Sequence, residues 1–209
     1  MEKLNHLLGN LKFGLKKTNF MNNPREKLLE VAFDEIYHNG YNGTSIDKIL
    51  KKASMNKGSM YHFFKSKKEL ALAVIEEKLN EHIENRYTSL LCCEKNICDE
   101  LIKAIKVKEN YNFAFGCKLN NLMQELSPLD NDFKIALEKV YLKFENTFEK
   151  ILTKAVLKGE IKHDDTKALS MYIVASIEGC LGTAKKSQDG NCFASCISQL
   201  ELFLNSLKK

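Results

Sequence analysis

The sequence has no tryptophan, and its 209 residues include only two prolines and ten glycines. Proline and glycine interrupt helices, so their scarcity predicts long helices and an all-α fold. Lys, Glu or Asn interrupts the most apolar segments every few positions, and none approaches the ~18 apolar residues of a membrane-spanning helix. We therefore expect a cytoplasmic protein without a membrane partner.

Recognisable catalytic and metal-binding patterns are also missing. The five histidines are scattered, and no Ser/His/Asp or Cys/His/Asp spacing stands out. Cys92, Cys93 and Cys98 form one group and Cys192 and Cys196 another, but neither group has the ligand spacing of a structural zinc site. We expect no enzyme activity, no metal and no cofactor, and we predict that most of the seven cysteines are reduced thiols packed as small apolar residues.

The positive charge of the chain is concentrated in one stretch. Seven lysines and one aspartate lie between Thr44 and Lys68, whereas the whole chain carries a formal charge of only +5. Charge runs are often no more than a solvated face, here that of an ordinary helical hairpin. The alternative is a helix-turn-helix unit, whose cationic second helix enters the DNA major groove.

Local capping signals divide this stretch into three short helices. Thr44 with Asp47 reads as a capping box that opens a helix at 45–53. Asn56 is a good N-cap for a second helix. Ser66 with Glu69 forms another capping box, and the third helix that it opens continues without a breaker to about Leu91.

Two patterns in this region resemble the signature of the TetR family, the tetracycline-repressor-like bacterial regulators. The residues that carry the resemblance are Asn39-Gly40-Tyr41-x-Gly43-Thr44-Ser45-Ile46 and Lys57-Gly58-Ser59-x-Tyr61-His62-x-Phe64-x-Ser66-Lys67-x-Glu69-Leu70. The resemblance covers 24–75. It departs at Ser54, where the family often has glycine; a left-handed backbone there would cost about 1 kcal/mol for a non-glycine residue.

The resemblance implies a helix-turn-helix DNA-binding domain at 23–70 and an effector-binding and dimerisation domain at 71–209. It also implies which residues contact double-stranded DNA: Thr44, Lys57, Gly58, Ser59, Tyr61, His62 and Lys67. In this scheme Thr44 and Lys67 bind phosphate, while Lys57, Ser59 and His62 face the groove. Core packing is the alternative for the aromatic residues of the domain, including Tyr61.

The last two long helical segments, 165–186 and 192–207, are poor in charge. Glu178 is the single charged residue from Ala168 to Ala184, and small residues recur through this part of the helix. A surface of small apolar residues lets another helix approach closely, so we predict a homodimer interface here. The family resemblance implies a four-helix bundle made by both subunits. An internal core helix in a monomer is the alternative.

Cys117 stands out among the cysteines because it follows Gly116 at the start of the predicted helix 117–126. The positive end of the helix and Lys118 are expected to lower the pKa of its thiol. The local pattern also resembles a TetR branch in which this helix borders the ligand pocket and which includes sensors of oxidants and electrophiles. Cys117 is therefore a candidate redox sensor, or else a small buried residue at a helix start.

An apolar effector pocket can be sketched from flexible and aromatic residues, although the same residues would serve equally well as core. The candidates are Phe113, Phe115, Cys117, Leu122, Met123, Phe148, Met171 and Tyr172.

Residues 1–22 read as a tail. Leucines at helical spacing with lysines around them would suit a basic arm that touches DNA or a membrane surface. A weakly ordered tail and a true translation start at Met21 are the other interpretations.

The sequence thus predicts a one-component bacterial transcriptional repressor that is associated with the nucleoid when bound to DNA. A dimer binds a palindromic operator, and an unidentified small effector releases it. A thiol-based redox or electrophile switch through Cys117 is the first alternative. A helix-turn-helix protein that binds a protein partner or organises the chromosome is an alternative of another class.

Overall fold

A computed structural model describes residues 23–209, so the predictions for residues 1–22 lie outside the described range. The predicted all-α class is confirmed: apart from one isolated bridge between Ile161 and Lys208, regular structure in the described range is helical. None of these helices is long and apolar enough to cross a membrane. The chain divides after Val74 into two compact units.

The N-terminal unit contains four α-helices. They are α1 (Pro24–Gly43), α2 (Ile46–Ala53), α3 (Lys57–Phe63) and α4 (Lys67–Ala73). A turn of π-helix at Val74–Leu79 then leads into the second unit. The helices of that unit are α5 (Asn80–Tyr87), α6 (Ile97–Lys106), α7 (Lys118–Leu126), α8 (Asn131–Leu157), α9 (Thr166–Ser187) and α10 (Gly190–Ser206). Thr88–Cys92 and Lys108–Asn110 form short 3₁₀ turns.

Side-chain caps fix three of the four helix starts of the N-terminal unit at the predicted residues. Asn23 accepts hydrogen bonds from the amides of Arg25 and Glu26, at 3.1 and 3.3 Å. Asn56 caps α3 and Ser66 caps α4 in the same way, and each satisfies an amide that a helix start leaves without an intrahelical partner.

The cap of α2 differs from the prediction by one residue. Ser45, not Thr44, is the N-cap, and its hydroxyl oxygen accepts a hydrogen bond from the Lys48 amide at 3.2 Å. At the other end of α2, Ser54 adopts the left-handed conformation with φ +55°. The position at which the family often has glycine therefore demands the conformation that glycine adopts most readily, and serine there costs about 1 kcal/mol.

The core of the C-terminal unit is built around α8, which packs against α5, α6, α7 and α9. Tyr87 of α5 and Phe144 and Phe148 of α8 are buried together, with ring centroids 4.8 to 5.5 Å apart. Such aromatic contacts add to the apolar area that the helices bury.

The cysteines depart from the expectation of free thiols at one place. A disulfide joins Cys180 of α9 to Cys196 of α10, with 5.4 Å between their Cα atoms. This pair is the exception to the prediction that most of the seven cysteines are reduced thiols. Cys92, Cys93, Cys98, Cys117 and Cys192 are free.

Candidate functional site

Helix α3 presents an exposed polar surface that rests on an apolar base. Met60 is fully buried beneath it, and Phe64 at its end is also buried. The side chains of Lys57, Tyr61 and His62 are exposed, as is the backbone of Gly58. We call Lys57, Gly58, Tyr61 and His62 the α3 patch. Tyr61, with half of its surface exposed, belongs to this patch and not to the core.

Two contacts of the α3 region bear on its availability to a ligand. The Lys57 Nζ atom lies 3.1 Å from Oδ1 of Asp47, and both side chains are exposed. An exposed pair of this kind contributes little to stability, so the lysine can exchange its partner for another anion. The hydroxyl of Ser59 donates to the Asn56 cap at 3.1 Å, so Ser59 takes part in the helix cap.

Lys67 and Thr44 differ in their suitability for phosphate contacts. The Lys67 ammonium group lies 4.2 Å from the ring centroid of Tyr41 and is partly exposed. Thr44 is 1% exposed, and its hydroxyl bonds to the carbonyl oxygens of Glu35 and Gly40. The Thr44 side chain is thus occupied in holding the end of α1, and its predicted phosphate contact is not supported.

Glu35 of α1 was not predicted to be buried, but it is 3% exposed and forms an ion pair with Lys52 of α2. The amide group of Asn39 donates to the same carboxylate at 3.3 Å. This pair joins α1 to α2. Its only signal in the sequence was an acidic residue within the apolar stripe of α1.

The C-terminal unit contains a second group of polar residues, in which partly exposed side chains surround one buried carboxyl group. Glu178 of α9 is 7% exposed, and its Oε2 atom is buried without a hydrogen-bond partner in the described part of the chain. The side chains of Cys117 and Asn120 lie close enough to its carboxyl group to affect its pKa. Arg86 and Tyr141 are close enough to interact electrostatically. We call Glu178, Cys117, Asn120, Arg86 and Tyr141 the polar cluster.

Burial dominates the acid–base properties of this cluster. It raises the pKa of Glu178 to about 7, although the neighbouring donors and Arg86 favour the carboxylate. It also raises the pKa of Cys117, and the negative charge of Glu178 raises that pKa further. The predicted lowering of the Cys117 pKa is therefore wrong. The helix start does act in the predicted direction through the amides of Leu119 and Asn120, but burial and the carboxylate outweigh it.

Lys185 lies two turns after Glu178 on α9, and its side chain reaches Gly116 and Asn121 at the start of α7. It does not neutralise the Glu178 carboxylate. Its Nζ donates to Oδ1 of Asn121 at 3.3 Å. Its methylene groups cover Gly116, where an added Cβ would lie 3.1 Å from the lysine Cδ atom. With φ +73°, Gly116 sets the turn that brings Cys117 to the start of α7.

Comparisons with known proteins agree with this architecture. Residues 28–74 match the family described as bacterial regulatory proteins, tetR family, and residues 95–200 match the tetracyclin repressor-like C-terminal domain. The two matches together span most of the chain. The chain belongs to the TetR family.

Individual relatives extend over most of this TetR-family regulator. An uncharacterized HTH-type transcriptional regulator in the lacX 3′ region of Lactococcus lactis subsp. lactis is 34% identical over 182 residues, which is 84% of this chain and 90% of that protein. The regulator QacR of Staphylococcus aureus is 25% identical, covering 90% of this chain and all of QacR. The crystal structure of Escherichia coli NemR in its reduced form has the same fold, with a TM-score of 0.78 at 22% identity, covering 89% and 97% of the two chains.

The residues predicted to form the effector pocket separate into three groups in this TetR-family structure. Leu122 and Phe148 are buried core, while Phe113, Phe115, Cys117 and Met123 are partly exposed around α7. Met171 and Tyr172 are about half exposed, with Tyr172 packed edge-on against Phe203 of α10. These two residues lie on the outer face of α9, so the prediction that they line an interior pocket is not supported.

Metal ligands do not gather anywhere in the described range: no group of three or more His, Cys, Asp or Glu side chains is arranged to hold a metal ion.

Proposed function

We propose that this TetR-family regulator is a repressor that binds a palindromic operator as a dimer. The α3 patch is the observation that carries the proposal, since it is an exposed cationic and aromatic surface on a short helix backed by a well-packed core. In this scheme residues 23–70 bind DNA and residues 71–209 dimerise and bind an effector, in the cytoplasm of a bacterium.

Release of the operator is proposed to follow from a population shift. An effector that binds the DNA-incompetent state of the dimer more tightly moves the equilibrium by as much as its two affinities differ. The partly exposed residues around α7, Phe113, Phe115 and Met123, are the proposed apolar contacts for this effector. Compounds that release the operator would be sought after selection of the bound sequence from a random DNA pool.

The Lys67→Ala protein is expected to bind every DNA sequence more weakly by a similar factor. Lys67 lies over Tyr41 at the start of α4, where its charge can pair with a phosphate but does not read a base. Loss of one phosphate contact should lower the slope of log K against log salt concentration by about one. Fluorescence anisotropy with the operator and with a scrambled duplex, over a range of salt concentrations, measures both effects.

Lys139→Ala is the matched control, because it removes an exposed lysine from α8 of the C-terminal unit. It should leave the salt slope unchanged. A change in base preference with Lys67→Ala would contradict the assignment to phosphate. Weak, sequence-independent binding by the unsubstituted protein would favour the partner-binding or chromosome-organising alternative.

A thiol switch through Cys117 is the second candidate function. It is supported by the position of Cys117 at the N-cap of α7, where the buried Glu178 of α9 is near enough to raise the pKa of its thiol. A group added to this sulfur would enter the packed polar cluster and displace α7 or α9. Because burial raises the pKa of Cys117, this switch would respond slowly and to strong electrophiles.

The Cys117→Ser protein is expected to keep its operator affinity after prolonged treatment with N-ethylmaleimide, whereas the unsubstituted protein loses it. Cys92→Ser, which removes an exposed thiol, is the control and should respond like the unsubstituted protein. Gel-shift titrations before and after treatment, with labelled peptides identified by mass spectrometry, provide the measurement. Equal loss of DNA binding in Cys117→Ser would leave only the ligand-released repressor.

A further inference from the structure

Helices α9 and α10 run antiparallel and are joined by a disulfide part-way along their contact. Tyr172 of α9 packs edge-on against Phe203 of α10 at one end of that contact, with ring centroids 5.2 Å apart. Cys180 and Cys196 are bonded about two turns further along, with 5.4 Å between their Cα atoms. We call them the α9–α10 cysteine pair. Neither the proposed DNA contacts nor the proposed effector contacts involve this pair.

The two helices have reason to stay together when the bond is open. They pack side by side, and both contribute buried side chains to the core, including Ile177 and Leu181 of α9 and Phe193 and Ile197 of α10. Burial of apolar surface stabilises this packing whether or not the sulfur atoms are bonded. We therefore expect the reduced protein to be folded, so that the bond opens and closes within the native structure.

The two sulfur atoms differ in accessibility. Cys180 is 3% exposed, whereas Cys196 is partly exposed within the subunit. A small oxidant or thiol therefore reaches the Cys196 sulfur first. The other five cysteines are free, so no network of disulfides supports this fold. In the cytoplasm, where we propose that this regulator acts, an isolated bond of this kind is typically transient or redox-sensing.

We propose that the α9–α10 cysteine pair is a reversible redox switch. A hydroperoxide closes the bond, a low-molecular-weight thiol opens it, and closure stiffens the helix pair that is predicted to form the dimer interface. This switch does not involve Cys117. Its chemistry is a property of the chain, whereas its consequence for operator binding rests on the proposed repressor function.

Closure of the bond transfers two electrons from the sulfur atoms to the peroxide. The Cys196 thiolate attacks one oxygen atom of the hydroperoxide, and the oxygen–oxygen bond breaks. The other oxygen leaves with the electron pair and takes up a proton, as an alcohol or as water. The Cys180 thiol then attacks the Cys196 sulfenic acid: a sulfur–sulfur bond forms, the sulfur–oxygen bond breaks, and the hydroxyl group leaves with the thiol proton as water.

Two molecules of reduced glutathione reverse this oxidation. The first thiolate attacks the Cys196 sulfur, and the Cys180 sulfur leaves and takes up a proton. The second thiolate attacks the glutathione sulfur of the mixed disulfide, which releases Cys196 as a thiol and forms glutathione disulfide. A permanent structural disulfide resists this reagent, so glutathione distinguishes a switch from a structural bond.

The experiment incubates the full-length protein, without denaturant, first in excess reduced glutathione and then, after removal of the thiol, in a small excess of hydrogen peroxide. Alkylation of free thiols followed by mass spectrometry should show the bond between Cys180 and Cys196 open after the first step and closed after the second. Closing a loop with a sequence separation of 16 should raise Tm by roughly 6 to 12 °C at a fixed protein concentration.

Cys192→Ser is the matched control, because it removes a free, partly exposed cysteine one turn earlier on α10. It should keep the difference in Tm between the oxidised and reduced forms, whereas Cys196→Ser should lose that difference. If Cys196→Ser does not fold, the reduced and oxidised forms of the unsubstituted protein still provide the comparison.

Closure should also strengthen the dimer, because a stiffened helix pair has less motion to lose on association. The measurement uses Cys117→Ser, in which the other proposed switch is silent. Analytical ultracentrifugation should give a dimer dissociation constant that is roughly threefold to tenfold lower in the oxidised form. Operator binding of the same samples is measured separately, so a failure of the redox switch is distinguishable from a failure of the repressor function.

A bond that survives excess glutathione would make the pair a structural disulfide and overturn the proposal. A pair that stays reduced in peroxide, or a product in which Cys196 is bonded to Cys192, would overturn it as well. Equal dimer dissociation constants for the oxidised and reduced forms would contradict the proposed effect on the dimer.

Discussion

The Ala175→Glu protein is expected to be a folded monomer at concentrations where the unsubstituted protein is a dimer. Ala175 lies on an exposed apolar strip of α9, which we call the outer face. Its members are Met171, Tyr172, Ala175, Gly179 and Gly182. Leu202 of α10 is also exposed, at 62% of its surface. An apolar strip of this kind is typical of a surface that a partner covers.

Within a single subunit there is space for a glutamate side chain at position 175. Ala175 is exposed, and a Cβ added at Gly179 or at Gly182 would meet no atom within 4 Å. The substitution should therefore be unfavourable only if a second subunit covers this face, and what it then weakens is the dimer. In a symmetric dimer the change occurs twice, and each buried, unpaired carboxylate costs several kcal/mol, which is at least a 100-fold loss in dimer affinity.

Light scattering at several protein concentrations, together with circular dichroism, distinguishes a folded monomer from an unfolded chain. Leu142→Glu is the control, because Leu142 is an exposed apolar residue of α8 outside the predicted interface, with 49% of its surface accessible. This variant should remain a dimer. An unchanged dimer of Ala175→Glu would place the interface elsewhere on the protein.

Local rules were sufficient to predict most of the helices. Asn23, Asn56 and Ser66 satisfy amides only two or three residues away, so short sequence patterns specify these caps. The same rules placed the cap of α2 one residue too early. Thr44 and Ser45 can both cap a helix, and the choice between them was made by the end of α1, which uses the Thr44 hydroxyl.

Features that depend on contacts between distant residues were missed. Cys180 and Cys196 are 16 residues apart and meet because α9 and α10 pack side by side. The pKa of Cys117 depends on Glu178, which lies 61 positions later in the chain. The sequence did mark Glu178 as the single charge of an apolar helix segment, but the helix pattern alone did not reveal which face carries it.

Glu178→Gln is expected to stabilise the protein strongly at pH 8 and little at pH 5. Burial raises the pKa of Glu178 from an ordinary 4.5 to about 7. The folded protein therefore binds a proton more tightly than the unfolded chain does, and stability is lost as the pH rises from about 4.5 to 7. Above pH 7 the full cost of the buried carboxylate, about 3 kcal/mol, is present.

The amide of glutamine keeps the size of the carboxyl group and does not ionise, so it removes this cost only where the carboxylate would be charged. A stabilisation of about 3 kcal/mol should raise Tm by roughly 6 to 12 °C at pH 8 in a chain of this length. Thermal unfolding at both pH values measures the difference, with protein concentration fixed because dimerisation also shifts Tm. Glu138→Gln, at an exposed site of α8, is the matched control and should change Tm little at either pH. An equal gain at pH 5 and pH 8 for Glu178→Gln would mean that its side chain affects packing and that the buried charge is not the source of the cost.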